Sequence, residues 1–200
     1  MATKLSATKL SDKAILEYYP EILSCSQDEF EEEWKSRPAE TIFFHAFGKK
    51  CKFNRKVRMY GSKPYAFSGI VVKADPTFSV LAQRALDLAN KMYPGFDFNS
   101  VLVNYYDGGK DYISAHSDDE KEHKKGAPIV GFNVYGEGPP RTFRIKNSTT
   151  RKVVKDLATE HGSMFTMIGM QDDFTHEIPK STRKTNPFGR RISFTVRCFV

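Results

Sequence analysis

His116 and Asp118 are separated by a single residue, Ser117. On an extended segment, residues two apart point to the same side, so an imidazole nitrogen and a carboxylate oxygen can face one ion. A third ligand must come from elsewhere. Of the five histidines, His45, His116, His123, His161 and His176, His176 is the best candidate, and His45, His123 and His161 have no partner pattern. Two histidines and a carboxylate on one face of a metal leave adjacent positions open. Non-haem Fe(II) oxygenases need that openness, because a cosubstrate and dioxygen must both bind. A His-x-Asp pair alone is weak, since most such pairs are surface residues.

The C-terminal segment adds a second pattern. Ile192, Phe194, Val196 and Cys198 alternate with Arg191, Ser193, Thr195 and Arg197. A strand here carries apolar groups on one face and two guanidiniums on the other. Two readings fit. The polar face of an edge strand meets water, or the arginines face the interior of a barrel, where they are costly unless paired with anions. A small dicarboxylate satisfies both, because a guanidinium grips a carboxylate with two hydrogen bonds. Asn104 and Tyr106 share a face of another strand and can hydrogen-bond the same anion, although a buried Tyr is more often plain packing.

The elements that must position these groups are legible in outline. Residues 1–12 read as a mobile arm. Ser26 followed by Glu29 is a capping-box pattern, which predicts a short acidic helix to about Lys35, stopped by Pro38. Phe78, Leu81, Ala85, Leu88 and Met92 recur at helical spacing and predict a second helix, ended by Pro94-Gly95. Strands are expected at 41–47 and 57–60. From residue 100 onward the pattern becomes many short strands, at 101–106, 112–116, 129–135, 142–146, 152–155, 164–168 and 192–200, with turn residues between them. The expectation is a mainly β fold with flanking helices, its core closed as a jelly roll.

Bulk properties narrow the setting. Two hundred residues, 40% of them apolar, suffice for one domain with a sizeable core. Cys25, Cys51 and Cys198 are odd in number and widely spaced, which argues against a disulfide framework or zinc knuckle and for a reducing intracellular compartment, nucleus or cytoplasm. No apolar run reaches transmembrane length, the N-terminus lacks the apolar stretch of a secretory signal, and no membrane partner is expected. The Asn147-Ser148-Thr149 sequon is then a chance match. A net charge of +7 suits a polyanion such as nucleic acid, among other partners.

Asn104-Tyr105-Tyr106-Asp107-Gly108-Gly109, then Ile113, then His116-Ser117-Asp118-Asp119-Glu120, resembles the signature of the AlkB family. Gly162 to Met167, on to Gln171, Phe174, His176 and Ile178-Pro179-Lys180 resemble that family's second-histidine region, which typically has Trp near the position of Phe174. Arg191 and Arg197 match its closing arginine pair. The resemblance covers about two-thirds of the chain. It implies a double-stranded β-helix in which His116, Asp118 and His176 hold Fe(II). It implies that Asn104 and Tyr106 hydrogen-bond 2-oxoglutarate. Arg191, helped by Ser193 where relatives often carry Asn, would pair with the distal carboxylate, and Arg197 would lie near the chelating one; the two arginine roles are exchangeable. The implied activity is oxidative demethylation of N-methylated bases in DNA or RNA, with dioxygen as oxidant, by a monomer.

Residues 55–61, followed by Pro64-Tyr65, resemble the segment that many nucleic-acid-acting members place beside the flipped base, with Asn54 where Pro is common. Tyr60 is then expected to stack on a base, and Arg55 or Arg58 to meet phosphate; the other reading is a basic edge strand with one aromatic. Asp119 and Glu120 would face the cationic methylated base, or stand as solvated loop carboxylates. Lys49 to Arg58, Arg183, Lys184, Arg190 and the lysines from Lys121 to Lys125 are expected to hold the backbone. Residues 1–40 read as arm and helix and 41–200 as the oxygenase domain, with 41–99 supplying lid strands and a supporting helix and 100–200 the core. Two alternatives remain at this level: an oxygenase acting on a protein or small molecule, and a nucleic-acid-binding relative without turnover.

Overall fold

The computed structural model describes residues 6–46, 48–67, 70–182 and 187–200. The first half of the chain contains β1 (Ser6–Lys9), β2 (Ile15–Tyr19), α1 (Gln27–Lys35), β3 (Phe43–Ala46), β4 (Lys49–Lys52), β5 (Lys56–Gly61), β6 (Tyr65–Phe67), β7 (Ile70–Val72), β8 (Ala74–Asp75) and α2 (Val80–Met92). The second half contains β9 (Ser100–Asp107), β10 (Ile113–His116), β11 (Ile129–Tyr135), β12 (Arg141–Asn147), β13 (Val153–Thr159), β14 (Met164–Ile168), β15 (Phe174–Ile178) and β16 (Arg190–Arg197).

Eight strands form a major sheet in the order β1-β2-β14-β11-β16-β9-β5-β8, and four form a minor sheet in the order β10-β15-β12-β13. Two facing sheets, antiparallel except for the parallel β5–β8 pair at one edge, with non-consecutive neighbours make the expected jelly roll. Two small hairpins, β3–β4 and β6–β7, stand apart from both sheets.

Both helices begin where side-chain caps satisfy their orphan amides. Ser26 caps α1 reciprocally with Glu29, and Ser79 accepts from the Ala82 amide at the start of α2. In α2 the buried stripe is Leu81, Ala82, Ala85, Leu86 and Ala89, rotated from the predicted one, and Phe78 lies ahead of the cap. The three alanines let the helix backbone lie close against the major sheet, so size selects the buried face as much as hydrophobicity does.

The alternation of β16 holds as predicted. Ile192, Phe194, Val196 and Cys198 join the core between the major sheet and the helices, and Arg191, Ser193, Thr195 and Arg197 line the space between the two sheets. A second core, with Phe143, Ile145, Phe165, Met167 and Phe174, fills the rest of that space. One expectation fails: residues 6–9, read as part of a mobile arm, form an edge strand paired with β2, which itself pairs with β14. Sheet pairing supplies the order that so short and polar a run cannot encode. Among the described residues no helix is long and apolar enough to cross a membrane.

Candidate active site

The antiparallel register of β10 and β15 sets His116 directly opposite His176. Asp118 follows the end of β10, and its amide donates to Gln171 Oε1 at 2.8 Å, which fixes the turn that carries the carboxylate. His116 Nε2 lies 3.5 Å from Asp118 Oδ1 and His176 Nε2 3.7 Å from Asp118 Oδ2. One ligand atom from each residue falls within 4.8 Å of the others.

The donor set suits a divalent metal. With metal–ligand bonds near 2.1 Å, ligands at right angles stand about 3 Å apart, so ligand atoms that lie within 4.8 Å of one another must draw together when a metal binds. The Nδ1 of His116 lies 2.9 Å from the Ser114 carbonyl. A carbonyl only accepts, so Nδ1 carries a proton there, which leaves Nε2 as the ring nitrogen that would coordinate a metal. Burial, reinforced by His116, pushes the His176 imidazole down to about 3, so it is neutral near pH 7. Phe143 stacks against its ring at 5.1 Å between centroids. Burial disfavours the Asp118 carboxylate, but Arg197, His176 and His116 outweigh it and hold its pKa well below the usual range.

Arg197 is 2% exposed and donates to Asp118 Oδ1 at 3.0 Å, with Glu120 at 3.5 Å. Among the described residues its Nε and one terminal nitrogen have no partner. Arg191, equally buried, donates to Asn133 Oδ1 at 2.5 Å and lies 4.8 Å over the Tyr106 ring, while its Nε and other terminal nitrogen find no partner among the described residues. Buried guanidinium donors without acceptors are costly. They are the mark of a site built for an anion that the protein itself does not supply. Asn104, paired across the sheet with Ser193, and Tyr106, paired with Arg191, border the same cavity. Gly131 lies on its floor, where an added methyl would drive into the Phe165 ring.

The structure thus gathers His116, Asp118, His176, Asn104, Tyr106, Arg191, Ser193, Arg197 and Arg55 around one cavity. Glu120 reaches it through Arg197, whereas Asp119 is exposed. Two expectations do not hold. Tyr60 is 1% exposed, stacked on Phe78 at 5.5 Å within the helix-side core. Arg58, on the same face of β5, donates to the Ser36 carbonyl and lies over Tyr60. Strand alternation turns both away from the cavity, and toward α1. Arg55 is buried, with its Nε on Asn104 Oδ1 at 2.7 Å, rather than presented to a phosphate. Among the predicted backbone contacts, Arg190 is held bidentately by Glu31, Lys49, Lys50 and Lys52 are exposed on the hairpin, and Arg183 and Lys184 lie outside the described residues.

Sequence reasoning passed over Arg141. It is 2% exposed and donates to the carbonyls of Gly108, Asp111 and Pro179 at 2.7–2.9 Å, tying the β9–β10 turn to the end of β15. A lone Arg after two prolines carries no signal of that role. Asn133 was missed too, although Gly131, Asn133 and Tyr135 alternate along β11 in step with the polar face of β16.

The sequence model of the 2OG-Fe(II) oxygenase superfamily matches residues 26–197. The chain belongs to this superfamily. Its curated relatives include the human DNA oxidative demethylase ALKBH2, 36% identical over 128 residues, with 60% of this chain and 48% of that protein covered. The mouse ALKBH2 is 34% identical over 160 residues, covering 76% and 64%. The human alpha-ketoglutarate-dependent dioxygenase alkB homolog 3 is 29% identical over 152 residues, covering 72% and 51%. These matches bear out the AlkB resemblance, and the chain spans about half the length of the curated relatives it matches. The solved structure of OsALKBH1 superposes with a TM-score of 0.62 at 15% identity, over 96% of this chain and 100% of that one, which speaks for the fold alone.

Proposed function

We propose that this 2OG-Fe(II) oxygenase removes methyl groups oxidatively from N-methylated bases of DNA or RNA. The observation that carries the reading is a two-histidine, one-carboxylate cluster sharing a cavity with two buried guanidiniums that lack full pairing. The names of the ALKBH2 and alkB homolog 3 relatives support the substrate class.

In this reading His116, Asp118 and His176 hold Fe(II). When bound, the metal with 2-oxoglutarate and dioxygen supplies the oxidation of the N-methyl carbon, releasing formaldehyde, succinate and carbon dioxide. Arg191 pairs with one cosubstrate carboxylate, assisted by Ser193 and Tyr106. Arg197, already against Asp118, faces the carboxylate nearer the metal, and the Asn104 amide donates to the same molecule. Phe143, Phe165 and Met167 keep water out of the cavity, which strengthens each of these contacts. Glu120, beside Tyr65, lies where a cationic methylated base is favoured over a neutral one. A blocked Watson–Crick edge lowers the cost of flipping the base out, and the exposed lysines of β4 supply backbone attraction that weakens with salt. Three free cysteines fit a reducing compartment inside the cell, and the protein acts as a monomer in this reading.

Incubation with oligonucleotides carrying 1-methyladenine or 3-methylcytosine, with Fe(II), ascorbate and 2-oxoglutarate, should give mass loss of one methyl group and formaldehyde. If no methylated oligonucleotide were turned over while succinate still formed, the substrate would be a protein or small molecule. Oligonucleotide binding unaffected by His116→Ala, with no turnover by the parent, would leave only a binding protein.

A further inference from the structure

Arg55 lies just ahead of β5 and is 8% exposed. Among the described residues no carboxylate touches it. Among the described residues its side chain makes one hydrogen bond, from Nε to Asn104 Oδ1 at 2.7 Å, between residues far apart in sequence. The Phe53 ring lies under its guanidinium at 4.9 Å. It borders the main cavity and also the groove that leads past Phe44 and Tyr112 to His116.

An Arg side chain has donors only. Whichever end of the Asn104 amide faces Nε must therefore be the carbonyl oxygen, and the ambiguity that usually attends an Asn side chain is removed. With Oδ1 committed, the Asn104 NH₂ is the end left for the cavity, beside Ser193 and on the strand next to the one that carries Arg191, whose donors lack partners among the described residues. An unconstrained Asn rotates freely between offering an acceptor and offering a donor. Facing an anion, the acceptor orientation is repulsive, so fixing the amide removes a wrong state before the anion arrives.

We propose that Arg55 is a positioning residue that locks the Asn104 amide with its NH₂ toward the cosubstrate carboxylate, and not a phosphate contact. The inference rests on the cosubstrate reading above. It makes the segment nearest the substrate groove a support of the cosubstrate site.

Isothermal calorimetry of 2-oxoglutarate binding to the Mn(II)-loaded protein, which does not turn over, tests it. Gln is the informative substitution, because its Nε2 occupies the place of Arg Nε in the side chain while the charge is gone. Arg55→Gln should bind 2-oxoglutarate within about twofold of the parent. Arg55→Met, with no donor, should bind about tenfold more weakly, the loss of one net hydrogen bond. Asn104→Ala should weaken binding to a similar degree, and Arg55→Met added to Asn104→Ala should cost nothing more. Equal weakening by Gln and Met, or additivity of the Met and Ala effects, overturns the proposal. So does a Met variant that keeps 2-oxoglutarate affinity but binds oligonucleotide more weakly, with a salt slope reduced by about one, since that is a phosphate contact. Should Arg55→Met not fold, Asn104→Asp serves: it keeps an acceptor for Arg55 but replaces the inward donor by an anion, so binding must fall at least tenfold, and parent-like affinity refutes the idea. If Asn104→Ala is silent while Arg191→Ala abolishes binding, the proposal fails and the cosubstrate reading stands; if both are silent, both fail.

Discussion

Replacing Arg191 by Met should raise the stability of the ligand-free protein while abolishing its response to 2-oxoglutarate. The guanidinium is 2% exposed and keeps one hydrogen bond, to Asn133, and one ring contact, to Tyr106. Taking a cation out of water costs several kcal/mol. A hydrogen bond from a charged donor returns about 2 kcal/mol, and a desolvated cation–π contact about 1–2 kcal/mol. The unpaired Nε and terminal nitrogen return nothing, so the ligand-free side chain carries a net penalty of about 1–3 kcal/mol. Met fills nearly the same volume and removes that penalty, at the cost of leaving the Asn133 oxygen without a donor, about 1 kcal/mol. The net gain is about 0–2 kcal/mol, or up to roughly 8 °C in Tm for a chain of this size. Scanning fluorimetry with Mn(II), with and without millimolar 2-oxoglutarate, reads both effects. The parent should gain several degrees on adding the dicarboxylate and the variant none. A variant that melts lower than the parent and still shifts with 2-oxoglutarate would refute the reasoning, because Arg191 would then be a structural cation rather than half of an ion pair awaiting its partner.

Three further outcomes follow from the same geometry. His116→Ala should lose Mn(II) or Co(II) binding by calorimetry, and formaldehyde release, with little change in Tm; Asp118→Ala should lose both and also destabilise by about 3–5 kcal/mol in urea titration, because it strips the carboxylate from buried Arg197. Gly131→Ala should destabilise by about 1–3 kcal/mol and reduce 2-oxoglutarate affinity, since the methyl displaces Phe165 at the cavity floor; unchanged affinity would show that the floor is not shaped for a ligand. Hydrogen bonding to Arg84, then to the Ser26 amide, lowers Glu29 to about 2, below its unfolded value near 4.3. The pair therefore stabilises above pH 4.3 and the contribution is lost as pH falls through 2. Both side chains are about a third exposed, which limits the effect to about 1 kcal/mol. Arg84→Met should lower Tm at pH 7 and leave it unchanged near pH 2, and an equal loss at both would assign the effect to packing.

The sequence by itself determined the parts of this protein that are local. The one-residue spacing of His116 and Asp118 keeps two ligands within reach of one ion, although Asp118 lies just past the end of β10. The period of two from Arg191 to Cys198 separates an apolar face from a polar one, and the Ser26–Glu29 box starts a helix without help from the rest of the chain. Each depends only on backbone geometry within a few residues.

Only the tertiary structure decided which polar face is the inner one, and what each cation meets there. The β10–β15 register brings His176 to His116, a pairing that no local period encodes. In β5 both faces are apolar enough to be buried, Val57 and Met59 on one and Tyr60 on the other. The sequence therefore cannot choose the phase, and expectation assigned Arg58 and Tyr60 to the substrate when packing against α1 and Phe78 claims them. Arg190 and Arg191 are neighbours of identical chemistry: strand alternation sends one to Glu31 on a helix and the other into the cavity between the sheets. That difference lies in the surroundings of the side chains, which form only when distant segments pack together.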